Sequence, residues 1–493
     1  MSSSVEQAPV LVIGAGMSGV AAAWSLRQAG IGSIVLEARP DRIGGRIWSS
    51  YAWPQATVDL GASWMSHLTI NPLVEVARAN KIALEPSELL NITLTQAEGY
   101  RLTDDETAAT MALYFAAFGA VKLAAARRAR LGKPDVAVAG EFARALKAME
   151  LDQQTRLNVE YFINYSVAEA NAANLDDLSL YHWDDDYVQT MLAIAVVPGG
   201  YQKVVEALAK GLDVRRGHVV SHIEQTEDEV TVSTNHGDFR APYAIVTLPH
   251  GVLAKRHVKF SPPLPGWKLD AIRAIHTGLS DKFWFLFPRA FWKSDRDVVG
   301  RVDERGDGRW STWINFQHYT RHAEGGEGKR RTAGVPILMC FNRTEHALAL
   351  EQMSDQEVID EAMPILSKAY KTRVPEPLLQ RSRWHADPFA EGTIVHVPPG
   401  ASSADILSFG SRSGGCALPA TRLMSISWGP RSGRFSPASA RRTSWPGWPA
   451  PAAAPAADGD QGALPGSAAA VAARDEMNGG HSPSAALRPA FLA

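Results

Sequence analysis

Cysteine is almost missing from this 493-residue sequence. Cys340 and Cys416 are the only two, too few for a disulfide framework or a thiolate metal cluster. A basic surplus is missing too. Fifty lysines and arginines face 52 acids for a net charge of −2, which argues against a dedicated nucleic-acid binder, because phosphates must be neutralised. No run reaches the roughly 18 apolar residues of a membrane helix. The longest, around Met111–Leu123, gives way to Arg127, Arg128 and Arg130. The start, MSSSVEQAP, has no basic segment, and the apolar stretch after it runs into glycines, unlike a signal peptide. These absences predict a soluble cytoplasmic protein with no metal centre, no nucleic-acid partner and no membrane partner.

What is present is an ordinary globular composition, with 45% hydrophobic and 21% charged residues. At roughly 150 residues per domain the length suggests about three domains' worth of chain. The charge is uneven. From Ser408 to Ala493 there are eight arginines, no lysine and four acids, so this tail carries +4 and the body before it −6.

The first motif lies near the N-terminus. An apolar strand at Pro9–Ile13 leads into Gly14-Ala15-Gly16-Met17-Ser18-Gly19, a helical run to Ala29, and a second strand at Ser33–Leu36 that ends in Glu37. This is a βαβ opening with a dinucleotide fingerprint in its proper context. Gly14 permits the tight turn, Gly16 lets backbone approach a pyrophosphate, and Gly19 allows close helix–strand packing. The helix N-terminus offers free N–H groups to phosphates. Glu37 is placed to accept from a ribose hydroxyl, and its charge disfavours a 2′-phosphate.

Residues Thr103–Asn171 read as several helices, being rich in Ala, Leu, Glu, Arg and Lys. Strands follow at His218–Ile223, Glu229–Thr234 and Ala244–Leu248, with a turn at Asn235-His236-Gly237, and another at Lys282–Phe287. After Leu407 the composition turns to Pro, Ala, Gly, Ser and Arg without periodicity, a composition that marks disorder.

Further motifs follow in order. Ala38-Arg39 and Ile43-Gly44-Gly45-Arg46 come after Glu37, then Asp59-Leu60-Gly61-Ala62-Ser63-Trp64. Later stand Val197-Pro198-Gly199-Gly200-Tyr201, Val246-Thr247-Leu248-Pro249 and Arg383-Trp384-His385-Ala386-Asp387-Pro388-Phe389. From about Pro9 to Leu407 the chain resembles the flavin-containing amine oxidases, which include monoamine oxidases, polyamine oxidases and histone-demethylase relatives. The resemblance implies an α/β, two-domain flavoprotein. Its Rossmann-like FAD domain (1–80, 200–265 and 390–407) is interleaved with a sheet-plus-helices substrate domain (81–199 and 266–389), and 408–493 is a non-native or disordered tail. It implies oxidation of a primary or secondary amine by hydride transfer to flavin N5, with O2 as acceptor and hydrogen peroxide released. The partners are then a small amine and O2, and the oligomeric state stays open between monomer and homodimer.

Residue by residue, the resemblance places Lys282 where the family lysine holds a water against N5, and Trp384 where a tryptophan lines the flavin. The cofactor site takes Gly14 to Gly19, Glu37 to Arg39, Gly44 to Arg46, Gly61 to Trp64, and Val220, which meets the adenine end through its backbone. Glu169 matches a glutamate that faces a distal ammonium in polyamine oxidases, though a helix-surface glutamate explains it as well. The run Asp184-Asp185-Asp186 beside Trp183 and Tyr187 reads as a solvated turn rather than a cation trap. His67 in Trp64-Met65-Ser66-His67 reaches either the substrate cavity or only a loop.

Departures from the family pattern are informative. Ile394 stands where many members have a tyrosine walling an aromatic cage. Thr393 stands where monoamine oxidases carry the cysteine bonded to flavin, so FAD is expected to be non-covalent. Ser66 replaces an acid of some polyamine oxidases, which weakens a polyamine assignment. The late family segments resembling FAGDATH and FLSGERAADEL are missing. Reading the third base of each codon with the first two of the next recovers both in one frame, from Ala417 through Met424 and from Arg434 through Trp445. A frameshift near Leu407–Gly415 is therefore expected. Two other readings stand beside the amine oxidase: a flavin desaturase acting on C–C bonds, and an inactive truncated remnant that binds FAD poorly.

Overall fold

A computed structural model describes residues 6–184, 193–293, 296–303, 305–320, 334–410 and 423–425. One compact unit spans Met1–Gly447, and a second, Trp448–Ala493, lies outside the described residues. Asp185, Asp186 and Tyr187, the Arg434–Trp445 segment, and all of Ala417–Met424 except Leu423 and Met424 also lie outside them.

The fingerprint region folds as its pattern dictates. Val10–Ile13 is apolar throughout and buried at all four positions, as a parallel strand covered on both faces must be. It is the centre of a parallel sheet ordered Asp213–Arg216, Ile34–Glu37, Val10–Ile13, Tyr243–Val246 and Leu423–Ser425. The Met17–Gln28 and Gln202–Ala209 helices pack on one side through Val20, Ala23, Val204 and Val205. On the other side Leu11, Ile13 and Leu36 meet a second sheet through Ile223, Val232 and Phe239. Its order is Glu6–Gln7, Gly237–Ala241, Val230–Thr234, Val220–Gln225 and Lys259–Ser261.

A third sheet has the order Leu378–Arg381, Ser280–Leu286, Ile337–Arg343, Thr312–Asn315, Val298–Arg301 and Ile92–Thr95. Strand alternation splits its side chains. Trp284, Leu286, Ile314 and Met339 face the helical side with Tyr161 and Phe162. Phe283, Phe285, Trp313 and Cys340 face the Asp355–Tyr370 helix through Val358, Ala362 and Leu366.

Two features differ from the sequence reading. The Asp104–Arg130 helix starts on a Thr103/Glu106 capping box. It contains an 18-residue window of mean hydropathy 1.5, so it is long and apolar enough, by length and composition only, to cross a membrane. The apolar character thus extends beyond Met111–Leu123, because alanines raise the hydropathy between the charged ends. One face of this helix buries Tyr114, Ala117, Phe118 and Val121 in the third-sheet core. Order also continues past Leu407. The Ser403–Gly410 helix is held at its end by Lys268, whose ammonium donates to the Ser408 and Phe409 carbonyls at 2.9 and 2.7 Å. Leu423–Ser425 adds to the edge of Tyr243–Val246, since an unpaired strand edge accepts another extended segment.

Candidate active site

A cavity of about 410 Å3 opens at the C-terminal ends of the first sheet. Twelve of the expected cofactor residues line it: Gly14, Gly16, Met17, Ser18, Glu37, Ala38, Arg39, Gly44, Gly45, Arg46, Ala62 and Val220. Ala15, Gly19, Gly61, Ser63 and Trp64 are not among its lining residues. Gly14 adopts φ +97°, which favours glycine, and a Cβ on Gly19 would stand 1.8 Å from the Gly14 carbonyl oxygen. Gly16 and Gly45 face each other, with Gly16 Cα 3.2 Å from where a Gly45 Cβ would be.

The electrostatics suit an anion with a polar ribose end. The Met17–Gln28 helix has Gly16 as N-cap, with no side-chain cap and no acid in the first turn. Its N-terminal N–H groups therefore remain for a ligand. Glu37 is buried and accepts from the Ala15 and Arg39 N–H groups at 2.7 and 3.0 Å, which leaves further lone pairs for hydroxyl donors. Arg39 pairs with Asp387 at 2.9 Å and lies 5.4 Å from the Phe389 ring centroid. Pro388 and Phe389 form part of the cavity wall, so the Trp384–Phe389 motif is locked to the fingerprint region. Arg42 donates to the Gly45 carbonyl at 2.7 Å and lies over Trp48, and burial pushes its pKa down to about 10. Arg46 donates to the Thr393 carbonyl, and burial lowers its pKa.

Lys282 sits on the Ser280–Leu286 strand and is buried. Its ammonium donates to the Gly61 carbonyl and the Ser63 hydroxyl, and lies over the Trp64 and Phe341 rings at 5.1 and 5.5 Å. Burial pulls its pKa well below the lysine range, while Asp59 opposes this. Asp59 is also buried. It accepts from the Ser49 hydroxyl and the Tyr201 N–H, and burial raises its pKa. Trp384 donates from Nε1 to the Leu60 carbonyl at 3.1 Å and meets Trp48 edge-on at 6.0 Å. The two predicted catalytic side chains therefore converge on the Asp59–Ser63 turn.

Glu169 does not lie on a helix surface. It caps the π-helical turn Asn164–Ala168, with its carboxyl beside Thr312 and Arg343. Burial pushes its pKa up to about 8, against the pull of Arg343. Lys282 pairs with Phe341 across the third sheet, and the Trp313–Cys340 pairing puts Thr312 next in that row. Residues directly opposite share a face, and two strand spacings separate Lys282 from Thr312 by about 10 Å. Ser66 and His67 form the turn before the Pro72–Ala79 helix, with His67 Nδ1 3.1 Å from the Ser66 hydroxyl and φ +57°. The Ile394 carbonyl accepts from Gly278 at 2.7 Å. Neither Ser66, His67 nor Ile394 lines the 410 Å3 cavity.

Sequence reasoning missed Asp59, Arg42 and Asp387 as members of the site, along with Thr247, Leu248 and Pro249 of the cavity wall. Asp59, Asp387 and the last three all stood in motifs already noted. Asp59 and Asp387 act through long-range contacts to Lys282 and Arg39, and Arg42 through local ones to Gly45 and Trp48.

The sequence profile of the flavin containing amine oxidoreductases matches residues 17–419, and the chain belongs to that family. Lysine-specific histone demethylase 1 homolog 2 of Oryza sativa subsp. japonica is 30% identical over 81% of this chain and 51% of its own length. Polyamine oxidase 4 of the same plant is 28% identical over 78% of this chain and 77% of its own. The chain thus spans about half the length of its demethylase relatives. Wild-type putrescine oxidase bound to putrescine has a TM-score of 0.64 at 20% identity, covering 86% of this chain and 94% of that one. That likeness shows the fold. The family's cofactor is FAD, and the glycine cradle, the uncapped helix N-terminus and Glu37 fit it. Thr393 offers a hydroxyl bonded to the Gly278 carbonyl rather than a thiol, so FAD is held without a covalent bond.

Proposed function

We propose that this chain oxidises a primary or secondary amine, removing hydrogen from the carbon next to a neutral nitrogen. FAD held by the glycine cradle and Glu37 would supply the two-electron redox chemistry, with O2 as final acceptor, so that the products would be an imine, the aldehyde from its hydrolysis, and hydrogen peroxide. The protein's part is to position the C–H bond and to control water and charge.

The row Lys282, Phe341, Thr312, with the Glu169 carboxyl beside its far end, is the observation that carries this reading. Lys282, with its amine pulled toward the neutral form by burial, stands where it orders a water without adding a full charge. Phe341 and Trp64 give the reacting end an apolar wall. Glu169 lies about 10 Å along the row, a span suited to an alkyl chain between the reacting amine and a second cationic group. An arriving ammonium favours the ionised carboxylate and compensates its burial.

A peroxide-release screen over monoamines, polyamines and cyclic amines tests the proposal. Turnover of amines with a distal cation, lost in Glu169→Gln, is the expected outcome. Bound FAD without turnover of any amine would overturn it.

A further inference from the structure

Behind the catalytic strand lies a second acidic feature. Strand alternation turns Asp281 to the face opposite Lys282, where it is fully buried. Its Oδ1 accepts from the Ser382 hydroxyl at 2.7 Å and from the Trp384 N–H at 3.1 Å. Oδ2 has no donor and meets the carboxyl of Glu351, on the Thr344–Gln352 helix. Glu351 is 6% exposed and accepts from the His385 and Ala386 N–H groups at 2.7 and 2.9 Å. Two buried carboxylates in contact repel, and among the described residues no cation donates a hydrogen bond to either, although Arg381 is near enough to feel the charge of Asp281. Lys282 points to the opposite face. Arg381 donates to the Leu350 and Met353 carbonyls and pairs with Asp355, and Arg383 also faces Asp355. The His385 contact to Glu351 is through its backbone. A proton on Oδ2 supplies the missing donor and removes the repulsion.

We propose that Asp281 and Glu351 share one proton and act as a positioning pair, together fixing residues 382–386 so that Trp384 reaches the Leu60 carbonyl and Pro388 and Phe389 wall the cofactor cavity. Four donors on five consecutive residues end on these two carboxyls. Beyond them, Asp387 and Phe389 engage Arg39. Burial and the neighbouring Glu351 push Asp281 above the ordinary carboxylate range. The folded state therefore binds a proton that the unfolded chain releases, and the clamp weakens as pH rises through that raised value. This inference rests on the FAD reading for its effect on the cofactor, but the shared proton is observable in the apoprotein.

The test is infrared difference spectroscopy of the full chain without FAD, paired with FAD titration across pH. The neutral parent chain should show a protonated-carboxyl stretch that Asp281→Asn removes, while the band of Glu169, whose pKa is also raised by burial, stays in this variant and disappears in Glu169→Gln. The Asp281→Asn amide keeps the acceptor for Ser382 and Trp384 and offers a permanent donor to Glu351. Asp281→Asn should hold its FAD affinity at alkaline pH, where the parent chain loses up to about tenfold per pH unit. A parent chain with no protonated-carboxyl band that Asp281→Asn removes, or an Asp281→Asn variant whose affinity falls with pH as steeply as the parent's, would overturn the proposal. If neither chain takes up FAD, the FAD reading has failed, and the infrared band alone decides for or against the pair.

Discussion

Arg39 and Asp387, 348 residues apart in sequence, pair at 2.9 Å and join the two ends of the cofactor wall. Both are largely buried, so removing one partner leaves an uncompensated charge, at a cost on the order of 3 kcal/mol. Arg39→Ala should lower the melting temperature and weaken FAD binding. The double variant with Asp387→Ala should cost less than the two single losses combined, by roughly 1–3 kcal/mol in a double-mutant cycle. Strict additivity in thermal unfolding would show the pair to be idle.

Gly19→Ala places a Cβ against the Gly14 carbonyl inside the phosphate turn. The backbone has no soft way to yield, so a destabilisation of about 3 kcal/mol is expected. Gly119→Ala is the control, because no atom lies within 4 Å of its added Cβ. Chemical denaturation of both variants checks the contrast.

Lys282 has its pKa lowered by burial. Between that lowered value and the ordinary lysine value near 10.4 the unfolded chain binds more protons than the folded one, so stability rises with pH across this window. Lys282→Met removes that slope, and it should also slow peroxide release. Melting temperatures measured from neutral to alkaline pH separate the two effects.

Glu169, with its pKa raised to about 8, gains charge as pH rises past that value. The KM for an amine with a distal cation should therefore fall through this range, while kcat changes less. In Glu169→Gln the KM should be high and without this step. A monoamine should show no such step with either chain.

A chain whose frame is restored after Leu407, so that it ends in the two family segments, should bind FAD more tightly than the chain as it stands. Isothermal titration of both chains reads this directly. If the coding DNA holds no single-base change that restores those segments, the frame account fails.

How much was legible in the sequence follows interaction range. The strand, glycines, helix and Glu37 of the fingerprint are local, and each landed where its pattern put it. Lys282 and Trp384 were singled out by the family resemblance, which gave no sign that both side chains turn to Asp59–Ser63, because that depends on packing across more than 200 residues. For Glu169 a substrate-facing and a helix-surface reading stood level, because helical periodicity gives no sign of the π-turn that places it beside Thr312. Asp281 reads as an ordinary strand acid until Glu351 is brought against it. The Leu423–Ser425 strand was hidden in a tail whose composition offers no period, and it became visible only beside the open edge of Tyr243–Val246.

FAD-dependent amine oxidation at the Lys282–Glu169 row can be watched in the visible absorbance of the FAD-loaded chain on adding a diamine without O2, then admitting O2. The account predicts bleaching with the amine, recovery with O2, and one equivalent of hydrogen peroxide per cycle. Loaded FAD whose absorbance is unchanged by any amine would contradict it.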